Sequence, residues 1–332
     1  MSCRLPSQPG EWIDRSQSIS FFFERRLYHG FIGDTVTSAL LAAGVRILGR
    51  SFKYHRPRGV FSLSGADANV MIEGASSTNL RGDDEPLREG LDLRAVNTLG
   101  GVKGDLLAVL GWFSAFTPVG FYYKSMYTPR ALFPLYEKVL RRLAGLGKVR
   151  DEWPSYISPK EYAFCDVLVV GAGPAGVAAA NAASSCGARV ILVESSERLA
   201  IHVRESVLDN VSLRLGTTCV GIYEDRWAAL SDRKRLTKVR ARAVVVTTGC
   251  QEQPAVFGNN DLPGIILGDA ARNLIERYAV CPAERPIVFT AGIEGYRLAR
   301  TLIELGKKVA AVVDLRDVRP SAGILEELAI AG

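Results

Sequence analysis

The sequence is short of the residues that usually carry chemistry. Its 332 residues include three histidines, His29, His55 and His202, and none falls in a nucleophile, metal or triad pattern, so each reads as structural or exposed. Six cysteines, Cys3, Cys165, Cys186, Cys219, Cys250 and Cys281, stand at wide spacings. That excludes a disulfide framework and a zinc site and fits reduced intracellular thiols. Without a C-x-x-C or C-x-x-x-x-C pair, a dithiol reductase is excluded too. The longest apolar run, residues 106–120, is interrupted by Ser114, Thr117 and Pro118 and is too short to span a bilayer. The first residues, MSCRLPSQPGEWIDRS, contain no apolar signal core. These two absences predict a cytoplasmic protein with no membrane partner. The net charge of +6 is spread along the chain with no recognition motif, which predicts no nucleic-acid partner. No repeat or low-complexity tract is present.

What is present is a dinucleotide-binding βαβ pattern in residues 165–194, CDVLVVGAGPAGVAAANAASSCGARVILVE. Residues 166–170 read as a buried parallel strand, followed by Gly171, Gly173 and Gly176 at G-x-G-x-x-G spacing and an alanine-rich helix. The first glycine permits the tight turn, the second lets backbone approach a pyrophosphate, and the third lets helix and strand pack closely. Phosphates are expected on the helix N-terminus, where free N–H groups and the macrodipole favour negative charge. A second apolar run ends at Glu194, 18 residues beyond Gly176, placed to accept hydrogen bonds from a ribose diol and better suited to NAD or FAD than to NADP. Residues 243–248 form a β-branched strand beside the first. The expected cofactor-binding residues are Gly171, Ala172, Gly173, Pro174, Ala175, Gly176, Glu194, Ser195, Val220, Thr248 and Gly249. No residue is assigned a catalytic role, and no metal site is expected.

Residues 1–17 are polar and expected to be flexible. Residues 18–75 suggest a small β-grasp domain: a strand over 19–27, a helix capped by Gly33-Asp34-Thr35 running to Ala43, and further strands over 45–48 and 68–72. The loop RSFKYHRPRG, residues 50–59, is dense in donors and reads either as a phosphate or acidic-partner surface or as a solvated turn. Residues 76–160, rich in Trp112, Phe113, Phe116, Phe121, Tyr122, Tyr123 and Tyr127, read as a connecting segment. Residues 161–332 are expected to form an FAD/NAD(P)-binding domain, with strands over 211–215 and 219–223 paired to each other. A second α/β pattern, residues 287–314, has Gly292-x-x-Gly295 in place of the full fingerprint. Asn259 to Gly264 reads as a rigid turn capping the following helix. The expected fold is α/β, a Rossmann-like doubly wound parallel sheet preceded by the β-grasp domain.

The runs GDTVTSALLAAGVRILGRSFKYHRPRGVFSLSG, PVGFYYKSM, GAGPAG and TTGCQEQPAVFGNNDLPGIILGDAARNLIERYAV resemble, in that order, the larger chain of heterotetrameric sarcosine oxidase, its α subunit, and the relatives of that chain. These include the larger subunits of dye-linked proline dehydrogenase, opine oxidase and hydrogen cyanide synthase. The resemblance implies oxidation of a secondary amine or amino acid, with the amine-oxidising flavin on a separate β subunit, and with further small subunits. It implies NAD or FAD at the GAGPAG site. Some relatives hold a [2Fe–2S] cluster through a C-x4-C-x2-C run. Here those positions are Ser62, Asp67 and Val70, so the expectation is of no iron–sulfur cluster. Against the family pattern the chain also lacks several tens of residues after Glu194 and stops without a returning strand or folate-binding domain, which implies a truncated product. Three functions stay open: an α-type subunit of an amine-oxidising flavoenzyme complex, a stand-alone FAD-dependent NAD(P)H oxidoreductase, or a non-catalytic assembly subunit.

Overall fold

A computed structural model of the chain describes residues 3–65, 67, 70–75, 78–116, 120, 128–144, 158–199, 203, 206–232, 234–317, 323 and 326. It divides into two compact units, residues 1–150 with 252–332, and residues 151–251.

In the first unit, alternation buries Ile19, Phe21 and Phe23 along β1 (Asp14–Phe23), which pairs antiparallel with β2 (Arg26–Ile32). The connecting turn places Glu24 and Arg25 at positive φ, as a two-residue hairpin requires. Helix α1 (Val36–Ala42) is buried throughout, and a reciprocal capping box between Thr35 and Ser38 satisfies its first N–H groups. Short strands β3 (Gly49–Arg50) and β4 (Pro57–Arg58) form a ribbon, and β5 (Met71–Gly74), β6 (Leu80–Arg81) and β7 (Asp92–Ala95) complete a five-stranded sheet of order β2-β1-β7-β5-β6. A 3₁₀ segment (Leu106–Phe116) and α2 (Phe133–Ala144) follow.

The sheet therefore runs from residue 14 to residue 95 rather than from 18 to 75, and no strand forms over 45–48. The described N-terminal residues, from Cys3 on, are tied to the fold, where flexibility was expected. Arg4 pairs with the buried Asp34 at 2.7 Å, and the backbone of Cys3 and Leu5 bonds to Ala42, Ala279 and Cys281. The run 118–126 lies outside the described residues apart from Gly120.

The second unit is a six-stranded sheet of order β10-β9-β8-β13-β12-β11, built from β8 (Lys160–Val170), β9 (Val190–Val193), β10 (Ser212–Arg214), β11 (Thr218–Ile222), β12 (Trp227–Ser231) and β13 (Leu236–Val246). Strands β10, β9, β8 and β13 are mutually parallel, and β13, β12 and β11 form an antiparallel meander. Helix α3 (Pro174–Ser185) packs Val177 and Ala180 on one face with Val169 and Leu192. The other face buries Leu168, Val170 and Val193 with Leu230 and Val239 of the meander. Burial on both faces explains the unbroken apolar runs of β8 and β9. The expected pairing of 211–215 with 219–223 does not form: β10 pairs with β9 and β11 with β12.

The expected single domain over 161–332 is divided. Helix α4 (Gly268–Tyr278) inserts Ala270, Leu274 and Tyr278 into the core of the N-terminal sheet, because its amphipathic face finds Phe21, Phe23 and Leu40 there. On its other side, Ile275 packs with Leu5, Val288, Ala299 and Leu302. That second cluster belongs to β14 (Ile287–Thr290), α5 (Ile293–Glu304) and β15 (Ala311–Asp314), a parallel strand pair with its crossover helix.

Candidate dinucleotide site

The site is assembled where β8 gives way to α3. Gly171 takes φ +101°, and a Cβ there would collide with the carbonyl oxygen of Thr247. A Cβ on Gly176 would collide with the carbonyl oxygen of Gly171, so the third glycine sets the closeness of helix and strand. Gly173 differs: a Cβ there would meet no atom within 4 Å. It is the N-cap of α3, with no side chain bonded to the first-turn N–H groups and Pro174 next in line. The resulting cradle faces a cleft of about 320 Å³ lined by Gly171, Gly173, Glu194, Ser195, Thr217, Thr218, Cys219, Thr247, Thr248 and Gly249. A pyrophosphate and ribose fit this donor set: backbone N–H groups, hydroxyls and one carboxylate, with no cation in the lining.

Glu194 ends β9, its backbone held between the carbonyl of Arg214 and the N–H of Thr217. Its carboxylate accepts from the Ala172 N–H at 2.9 Å, the Ser196 N–H at 3.0 Å and the Ser195 hydroxyl at 3.2 Å. The acid is thus aimed at the glycine turn from the neighbouring strand end. Thr247 holds the turn from the other side: its hydroxyl donates toward the carbonyl oxygens of Gly171 (2.8 Å) and Val170 (3.0 Å). Burial pushes the Cys219 thiol above its ordinary pKa, so it lines the cleft as a neutral group.

Of the residues expected from sequence, Gly171, Gly173, Glu194, Ser195, Thr248 and Gly249 meet on this cleft, and Ala172 contributes its N–H. Pro174 and Ala175 are exposed on the first turn of α3, and Gly176 is buried beneath it. Val220 is not on the cleft: it is 58% exposed, and its neighbours Thr218 and Cys219 line the cleft instead. A register shift between Cys219 and Gly221 against β12 sets that difference. Thr217, Thr218 and Cys219 were not foreseen, since they reach the cleft through the pairing of β10 and β11 with other strands; Thr247 comes from the end of the strand expected beside the first.

The second βαβ unit copies the first, with open space over Gly292 as over Gly173, but with the Gly292 N–H engaged internally. Gly295 stands against the side chain of Thr290 as Gly176 stands against Gly171. Thr290, at the place of the first glycine, accepts the Gly292 N–H at 3.1 Å and donates to the Gly292 carbonyl at 3.0 Å. Glu294 adds negative charge to the first turn of α5 and pairs with Arg297 and Arg272. Asp314, the counterpart of Glu194, is clamped by Arg316 at 2.7 Å and bonded by Tyr296, which holds its carboxyl far below the ordinary range.

The basic loop is spent internally. Arg56 and Arg58 both pair with Asp261, at 2.9 and 2.6 Å, and Arg56 also donates to Asn259. Burial works to raise the Asp261 pKa, yet the two guanidiniums outweigh it and leave the carboxyl below its usual range. The Asn259–Asp261 turn therefore anchors that loop rather than capping α4, whose first N–H groups, of Gly268 and Asp269, go to Glu252. His55 is buried against Asp105 at 2.8 Å, His29 contacts Ser20, Cys250 is exposed, and His202 lies outside the described residues.

Residues 16–98 match the family of 2Fe-2S iron-sulfur cluster binding domains. This overturns the expectation that excluded an iron–sulfur cluster, since the matched family is one of cluster-binding domains. Residues 16–98 contain no cysteine, and Asp67 spends its carboxylate on the N–H groups of Phe61 and Ser62 and the Ser62 hydroxyl. These side chains do not make a thiolate site, and no chemical step is assigned to a cluster. Residues 166–199 match the family of FAD dependent oxidoreductases.

The chain is 36% identical over its full length to the α subunit of sarcosine oxidase from Rhizobium meliloti (strain 1021), covering 38% of that protein. It is 28% identical over 95% of its length to the corresponding sarcosine oxidase chain of Corynebacterium sp. (strain P-1), covering 32%. An opine oxidase chain of Agrobacterium tumefaciens (strain Ach5) is 27% identical over 46% of the present chain and 37% of the relative. The fold is that of L-proline dehydrogenase from P. horikoshii, with a TM-score of 0.65 at 17% identity over 95% of this chain and 57% of that one. The chain thus spans about a third of the length of the sarcosine oxidase relatives, and over its whole length it belongs to the sarcosine oxidase α-subunit family.

Proposed function

We propose that the chain is the dinucleotide-binding α-type subunit of a multi-subunit flavoenzyme that oxidises a secondary amine or amino acid. The observation that carries this reading is the open space over Gly173 at the uncapped N-terminus of α3, with Glu194 facing it from β9. The ligand is one dinucleotide, NAD or FAD, and the match of residues 166–199 supports FAD. Residues Gly171 to Gly176 would receive its pyrophosphate, Glu194 its ribose diol, and Ser195, Thr248 and Gly249 its rim. When bound, the group supplies hydride acceptance. The chain's own residues bind and orient: Thr247 fixes the Gly171 carbonyl, Glu194 fixes the Ala172 N–H, and the α3 dipole offsets the phosphate charge.

The amine chemistry rests on the relatives, named as sarcosine oxidase, opine oxidase and L-proline dehydrogenase. Abstraction from a small amine or amino acid is assigned to a flavin-containing β subunit, with further small subunits in a cytoplasmic complex. Among the described residues no helix is long and apolar enough to cross a membrane. Calorimetric titration of the purified chain with FAD and NAD tests the site. One of the two binds the wild type and neither binds Gly173→Trp; a wild type that binds neither overturns the reading. Co-expression with a flavin-dependent oxidase subunit, followed by amine-dependent dye reduction, tests the partner assignment.

A stand-alone FAD-dependent NAD(P)H oxidoreductase needs a second nucleotide on β14–α5–β15. The open space at Gly292 favours it, and the engagement of the Gly292 N–H by Thr290 opposes it. A yellow protein bleached by NADH without a partner would select that reading.

A further inference from the structure

The outward face of β8, β13 and β12 carries a pattern that the nucleotide cleft does not use. Along β13, Thr237, Val239 and Ala241 are buried, whereas Lys238, Arg240 and Arg242 are exposed. A period of two therefore places three cations on one side of the strand. The register sets Lys238 beside Tyr162 of β8 and Ala229 of β12, and Arg240 beside Phe164 and Trp227. Tyr162 is 60% and Phe164 62% exposed, whereas the alternate residues of the same strand, Glu161, Ala163 and Cys165, are half-buried or buried. Lys238 Nζ lies 5.8 Å from the Tyr162 ring centroid and the Arg240 guanidinium 5.7 Å from that of Trp227. The nearby acids are engaged: Asp166 by Arg189 and Arg242, Asp232 by Arg235, and Glu161 by Arg214 and Arg235.

We propose that this face docks an acidic, aromatic-bearing surface of a partner polypeptide. Aromatic and arginine side chains are what buried interface centres use, and an exposed set of both on a sheet face is costly unless a partner covers it. Its charge selects the partner's sign. A second copy is disfavoured, since a two-fold pairing sets this cationic patch against itself. Single-stranded nucleic acid is disfavoured because base stacking needs open rings, and two of the three are covered by cations of this face. The inference goes beyond the reading of the nucleotide cleft and does not require the cleft to be loaded.

The test titrates the full chain against fluorescein-labelled poly(Glu,Tyr), with poly-Glu and an oligothymidylate as parallel probes, at about 20 and about 150 mM salt. Poly(Glu,Tyr) is expected to bind more tightly than poly-Glu, and more tightly at the lower salt. Lys238→Glu with Arg240→Glu is expected to weaken it about tenfold or more, while the same charge change in the β1–β2 hairpin, Arg25→Glu with Arg26→Glu, shifts it by less than about twofold. Tyr162→Ser with Phe164→Ser is expected to erase the preference for poly(Glu,Tyr) over poly-Glu. Thermal melts and dinucleotide titration of each variant report fold and cleft separately. No binding at low salt, an equal loss in the hairpin variant, or tighter binding of oligothymidylate that the serine variant removes would overturn the proposal.

Discussion

The two βαβ units share a layout and differ at one strand end. β8–α3–β9 leads into its helix with Gly171, and β14–α5–β15 with Thr290. At Gly171 the backbone turns at positive φ, and the cradle over Gly173 stays free. At Thr290 the hydroxyl occupies the Gly292 N–H, while Glu294 adds a carboxylate to the first turn of α5, paired with Arg272 and Arg297. The side chain at the first glycine position and the acid in the first turn therefore distinguish the two units: the Gly292 N–H has an internal acceptor, whereas in the first unit the internal acceptor, Glu194, takes the Ala172 N–H.

The sharpest way to break this contrast is to fill both cradles. Gly173→Trp is expected to reduce dinucleotide affinity by about 100-fold or more with an unchanged circular dichroism spectrum, whereas Gly292→Trp leaves affinity within about twofold. Equal effects, read by calorimetry, would erase the distinction. Next come the packing glycines, where the two units should agree. Gly176→Ala drives a Cβ into the backbone of Gly171, and Gly295→Ala drives one against the Thr290 Cβ, which no side-chain rotation moves; each is expected to cost about 3 kcal/mol in a denaturant titration.

The strand-end acids differ again. Glu194→Ala is expected to weaken binding about tenfold, the value of one or two lost hydrogen bonds to a ribose. Asp314→Asn should leave binding untouched and lower the melting temperature slightly at pH 7. Because the folded Asp314 pKa is depressed by Arg316, that stabilisation is present above the ordinary carboxylate pKa and is lost as pH falls into the acid range. The melting gap between wild type and Asp314→Asn should therefore close on acidification. The smallest expected effect is a gain: Thr290→Gly with Glu294→Ala should give β14–α5–β15 millimolar ADP binding, detectable by line broadening. No binding would show that more than these two side chains separates the two units.

Legibility followed covalent distance. The GAGPAG turn and Glu194 could be read directly, since strand, turn, helix and second strand are contiguous and each glycine answers a local steric demand. Thr247 could not be read as part of the turn, because it arrives through the pairing of Val246 with Val170. Val220 was misplaced by one residue on β11, where the irregular register with β12 sets which side chains reach the cleft. The basic loop and the Asn259–Asp261 turn looked like separate features. They form one contact across about 200 residues of sequence, with Asp261 accepting both Arg56 and Arg58.

The division of the chain was also not local: α4 reads as part of the nucleotide-binding half, yet its apolar stripe buries against Phe21, Phe23 and Leu40. What the amino-acid sequence determined by itself was the glycine turn and the acid that faces it, because backbone sterics and helix capping act within a few residues. Which hydroxyls complete the cleft, which core takes the amphipathic helix and which face of the meander is left bare were decided by the tertiary structure. Those outcomes depend on strand pairing and side-chain burial between segments that meet only in the folded chain.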